Sequence, residues 1–158
     1  MSERGVGLVF RLIGDGTSIY DRKLTAADIT KRIEHYWRPY HECLAAMIES
    51  TVARHGTCYH LDCHSMMPVG NELAPDPGKD RADFVLGDLD GTSCEPGFTR
   101  TVADTLESLG YSVAINDPYK GALIVERYGQ PGKSVHSLQM EINRKLYMDE
   151  TTRERNDG

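Results

Sequence analysis

Short apolar runs of β-type residues alternate along this chain with stretches of helical spacing. Each is closed by a glycine, proline or aspartate turn, and this alternation constrains the fold more than any other feature. Residues 6–12 form the first apolar run, broken by Gly14-Asp15-Gly16, and read as a strand and a turn. Thr25 is placed as a helix N-cap, with Asp28 three residues on in place of the usual glutamate of a capping box. Ile29, Ile33, Tyr36 and Trp37 then share one helical face. Pro39 must disturb that helix, because it lacks an N–H and crowds the preceding turn. An apolar stripe resumes with Cys43, Leu44, Met47, Ile48 and Val52 and ends at His55-Gly56, a C-terminal signal.

Residues 57–63 read as a strand leading into His64-Ser65. Residues 67–81, rich in proline, glycine and charge, read as a loop, and 82–86 as a strand ending in the turn at 87–93. Val102, Leu106 and Leu109 give residues 99–109 helical spacing, which stops at Gly110. Residues 111–115 read as a strand, Asn116-Asp117-Pro118 as the start of a loop, and 123–127 and 137–142 as two more strands. The polar tail after Thr151 is expected to fray. Strands alternating with helices predict an α/β fold, a mixed and mostly parallel sheet flanked by helices. A single domain is expected over residues 1–150, followed by a polar tail at 151–158.

Composition narrows the function classes. A chain of 158 residues has room for one real core. Eighteen Lys and Arg against 24 Asp and Glu give a net charge of -6, which argues against a nucleic-acid partner. No apolar run approaches the roughly 20 residues that cross a bilayer, so no membrane partner is expected. The first residues lack a secretory pattern, which makes the cytoplasm the expected compartment. Cys43, Cys58, Cys63 and Cys94 then read as free thiols, and Cys58 with Cys63 lacks the usual zinc spacing.

In open α/β sheets ligands bind where strands end in loops. Polar clusters fall at such places: 62–65, 88–93 and 116–121, with 139–144 on a strand and its exit. In extended backbone His60, Asp62 and His64 share one face. His64 there is either a metal ligand, its tautomer fixed by a neighbouring carboxylate, or a structural histidine near a strand end. Gln139, Glu141 and Asn143 face away from Leu138, Met140 and Ile142. Glu141 is either a general base or part of a solvated polar face. Arg144, Arg127 and Lys120 are carboxylate clamps or surface charges. The 88–94 segment fits a side-chain-bonded turn better than a calcium loop. Ser65 faces the opposite way from its neighbour His64, so the two make no triad, and no GxSxG, GxxxxGK or GxGxxG motif occurs.

Several stretches together resemble the N-formylglutamate amidohydrolase family. They are Tyr36-Trp37-Arg38-Pro39-Tyr40-His41, Leu61-Asp62-Cys63-His64-Ser65-Met66 and Ala82-Asp83-Phe84-Val85-Leu86-Gly87-Asp88. Further on come Gly91-Thr92-Ser93-Cys94, the run at 110–121, and Gln139-Met140-Glu141-Ile142-Asn143-Arg144 with its continuation to Glu150. The resemblance implies a relative of the zinc carboxypeptidases and aspartoacylases that hydrolyses the amide of N-formyl-glutamate, or of a similar N-acyl amino acid. By it His64 is a ligand to Zn2+, with Asp62 and Ser65 supporting it, and Glu141 is the general base and proton shuttle. Arg144 and Arg127 hold substrate carboxylates, Asn116 and Tyr119 line the pocket, and a homo-oligomer is compatible.

The chain reaches Gly5-Val6-Gly7-Leu8, which corresponds to the family's middle, almost at once. The family's His-Ser-Gly segment, with other metal ligands and the N-terminal strands, has no counterpart here, and Leu89 stands where many relatives carry Arg. The expected zinc site is therefore incomplete, since catalytic zinc takes three protein ligands. Three explanations follow in order: a fragment of a full enzyme, a truncated inactive remnant or ligand-binding domain, or substitute ligands from His60, His41 or His136. An exposed strand edge and apolar surface are expected to accompany the missing strands.

Overall fold

The computed structural model describes residues 8–13 and 16–156. Packing divides the chain into two compact units, residues 1–47 and 48–158. The boundary falls inside a helix. Part of the strand and turn expected at 6–16 lies outside the described residues. Among those described, Leu12 makes an isolated antiparallel bridge with Ser18.

In the first unit Thr25 caps α1 (Ala26–Arg32), and its exchange of hydrogen bonds with Asp28 completes the capping box. The disturbance expected at Pro39 takes the form of a π-helical turn, Ile33–Trp37, directly before α2 (Arg38–His55). The wider turn takes in one extra residue and gives the proline ring room, so the helix continues rather than breaks. His41 packs against Trp37, with ring centroids 4.2 Å apart.

The second unit is built on a four-stranded sheet. Its strands are β1 (Cys58–Met66), β2 (Phe84–Gly87), β3 (Val113–Ile115) and β4 (Val135–Asn143), in the order β1-β4-β2-β3. β1 runs parallel to β4 over nine paired residues, β4 antiparallel to β2, and β2 parallel to β3. The sheet is therefore mixed and mostly parallel, with β1 at one edge. One face carries Leu86, Leu138 and Met140, which pack against Ala103, Phe98, Val102 and Leu106 of α3 (Pro96–Ser108). Alternation along the strands turns Asp62, His64, Gln139 and Glu141 to the other face.

Residues 123–127 were expected to be a strand and instead form the helix α4 (Leu123–Tyr128). Three apolar residues followed by a charged pair are too few to reveal a period, and full burial of Val125 on one side decides the matter. The tail does not fray among the described residues. Asp149 accepts from the backbone of Thr151 and Thr152, and Met148 bridges Arg155. No helix among the described residues is long and apolar enough to cross a membrane.

Candidate functional site

The parallel register of β1 and β4 sets His64 opposite Glu141 and Asp62 opposite Gln139. Residues directly opposite one another project to the same side of a sheet, so the four side chains form one polar cluster. His64 Nε2 lies 3.1 Å from Asp62 Oδ2. The other ring nitrogen, Nδ1, lies 4.0 Å from Glu141 Oε1. That gap is too wide for a direct hydrogen bond. Gln139 Nε2 donates to the same Glu141 oxygen at 2.9 Å.

Glu141 is buried, and burial pushes its carboxyl above the ordinary value. Facing His64, the bond from Gln139 and the charge of Arg81 oppose that rise, whereas Asp62 adds to it. His60 continues the polar face, its Nδ1 2.8 Å from Ser137 Oγ, and burial lowers its pKa.

A loop seals the flank of this cluster. Gly87 lies opposite Gln139 on β2, and the Lys120–Gly121 backbone rests on it so closely that a Cβ would meet Gly121 N at 2.6 Å. The loop begins at Asn116, whose positive φ of 58° turns the chain at the end of β3. Its side chain donates to Asp88 Oδ1 at 2.7 Å and accepts from the Asp88 N–H at 3.1 Å. From there the loop carries the Tyr119 ring to 5.0 Å from the Arg81 guanidinium carbon.

The other expected site residues have the following places. Arg144 follows β4 and spends its guanidinium on a two-pronged pair with Glu150, at 2.9 Å and 2.5 Å. Arg127 is exposed on α4, its guanidinium carbon 5.9 Å from the Tyr128 ring centroid. Asn116 clasps Asp88 and Tyr119 covers Arg81, so both serve the wall of the cluster. Ser65 lies opposite Ile142 and turns to the face away from His64, because strand side chains alternate. His136 is also on that other face, stacked on Tyr59 and accepting from the Glu95 N–H at 3.1 Å.

Two residues given no role by the sequence belong here. Arg81 is buried and held by Asp76 through Nε at 2.8 Å and Nη2 at 2.6 Å, while Nη1 donates to the Met67 carbonyl. In sequence it is one charge at the end of a polar loop, indistinguishable from a surface arginine. Gln139 was visible on the same face as Glu141, but only coordinates reveal their bond.

No three His, Cys, Asp or Glu side chains among the described residues gather as a metal ion would require. His64, Asp62 and Glu141 therefore do not by themselves fit the zinc that the resemblance implied.

A mixed α/β sheet thus sets a buried carboxylate 4.0 Å from an imidazole across two neighbouring strands. Residues 1–148 match the family described as N-formylglutamate amidohydrolase. The chain belongs to that family. It is 34% identical over 120 residues to an N-formylglutamate deformylase of Pseudomonas putida, covering 75% of this chain and 44% of that protein. With an N-formylglutamate deformylase of Pseudomonas aeruginosa it shares 32% over 147 residues, covering 91% of this chain and 54% of the relative. The crystal structure of N-formylglutamate amidohydrolase from Ralstonia eutropha JMP134 superposes with a TM-score of 0.90 at 47% identity, covering 98% of this chain and 56% of that one. The chain thus spans about half the length of the relatives it matches.

Proposed function

We propose that this chain carries the general-base half of an amide-hydrolysing centre that acts on N-formyl-L-glutamate or a similar N-acyl amino acid. The observation that supports this reading most directly is the Glu141 carboxylate, buried, braced by Gln139 and facing His64 Nδ1 at 4.0 Å. The names of the relatives, deformylases and an amidohydrolase of N-formylglutamate, supply the substrate class.

In this reading Glu141 takes a proton from water as the water oxygen bonds to the formyl carbon. The C–N bond then breaks and Glu141 passes the proton to the departing nitrogen, giving formate and glutamate. Asp62 bonds His64 Nε2 and so orients the ring with Nδ1 toward Glu141. Arg81 contributes a fixed positive charge near Glu141. His64, Asp62 and Glu141 do not complete a zinc site among the described residues. The second reading is ligand binding without hydrolysis.

Formate release from N-formyl-L-glutamate by the purified protein, measured beside its metal content, tests the proposal. Formate release at enzymatic rates with stoichiometric metal supports hydrolysis and shows that donors beyond those described complete the site. Binding of N-formyl-L-glutamate with no formate released supports the second reading and ends the first.

A further inference from the structure

Gln139 Oε1 is buried and has no hydrogen-bond partner among the described residues. The amide orientation is not arbitrary, because exchanging the two ends would set an oxygen against the Glu141 carboxylate in place of the N–H that now donates to it. A bare buried acceptor is costly, and native interiors seldom leave one without a reason. This one lies within the polar cluster, between Asp62 on β1 and Gly87 on β2, its neighbours in register.

We propose that Gln139 is the residue that recognises the N–H of the ligand's amide, its Oε1 accepting that hydrogen while its Nε2 braces Glu141. The inference rests on the amide-substrate reading above. The terminal torsion of a glutamine is soft and broad, so the amide can adjust to a ligand at little cost. A ligand N–H then satisfies an acceptor that no described residue pairs. A ligand with oxygen in place of that N–H leaves Oε1 bare and sets a second lone pair against it. Sites built around a buried hydrogen-bonding group reject analogues that lack its partner.

The experiment compares N-formyl-L-glutamate with the formyl ester of 2-hydroxyglutarate, identical except for oxygen in place of N–H. The readout is the amide-to-ester ratio of kcat/KM, compared between wild type and variants so that the intrinsic reactivity of the ester cancels. Gln139→Met removes both amide ends and is expected to lower the ratio about tenfold or more, with kcat falling as well. Gln139→Glu keeps an acceptor but sets a second carboxylate beside Glu141, so kcat falls and the ratio stays near wild type.

An unchanged ratio in Gln139→Met overturns the inference while formate release by the wild type leaves the hydrolytic reading standing. If the wild type binds both ligands without turnover, the ratio of their dissociation constants takes the place of kcat/KM and hydrolysis alone fails. If Gln139→Met does not fold, a wild type that binds ester and amide equally overturns the inference. Failure to bind either ligand overturns both proposals.

Discussion

Glu141 and His64 are direct partners in the register of two neighbouring parallel strands, with Oε1 and Nδ1 4.0 Å apart although 77 positions separate them in sequence, as 141 − 64 shows. A parallel pair needs a long crossover between its strands, and here that crossover also delivers Arg81, Gly87 and the loop at 116–121. The two groups that face each other are thus walled by the polypeptide that joins them.

Replacing Glu141 with Gln keeps shape and hydrogen bonding but removes the proton acceptor. Formate release should fall by about 100-fold or more, with the circular dichroism spectrum and melting temperature little changed. Near-normal turnover in this variant would remove Glu141 from the role of base.

The pH profile follows from the same burial. Glu141 ionises above the ordinary 4.5 because burial opposes its charge, so the basic form appears later as pH rises. The acid limb of kcat/KM should therefore lie above that value. Gln139→Met removes a bond that favours the ionised form and should move the limb further up. A limb below 4.5 contradicts the assignment.

Acid stability depends on a different carboxylate. Bonds from the Ser112 hydroxyl and backbone, with Lys145 close by, hold Asp83 at about 2 against an ordinary 3.8. A depressed folded pKa stabilises the protein fully above the unfolded value, and the gain is lost as pH falls from 3.8 toward 2. Urea midpoints measured through that window should decline less steeply in Asp83→Asn than in wild type.

Asp76 is the counter-charge of a buried arginine. Asp76→Ala leaves Arg81 unpaired and should cost about 3–5 kcal/mol in denaturant unfolding. Exchanging both residues for apolar side chains of similar volume should recover most of that loss. Equal destabilisation by the single and double changes would show that the pair contributes through packing alone.

Gly87 is required by its neighbours rather than by its backbone angles. A Cβ there meets Lys120 C and Gly121 N at 2.6 Å, and both are main-chain atoms that cannot rotate away. Gly87→Ala should displace the 116–121 loop, with faster amide exchange from Lys120 to Gly121 and a lower melting temperature. Unchanged exchange would show that the sheet shifts instead.

Much of this was legible from residue order alone. The capping box at Thr25, the end of α2 at His55-Gly56, and the polar and apolar faces of β1 and β4 all rest on interactions within a few residues, which a linear pattern records. So did the placement of His64 and Glu141 on strand faces, because alternation has a fixed period. Tertiary structure decided that these two faces adjoin in a register that sets imidazole against carboxylate. It turned residues 123–128 into a helix through the burial of Val125, and it paired Arg144 with Glu150 and Asn116 with Asp88. It also buried Arg81 against Asp76. Pairing partners, burial and the choice among competing charges depend on which distant segments meet, and a local pattern carries no information about that.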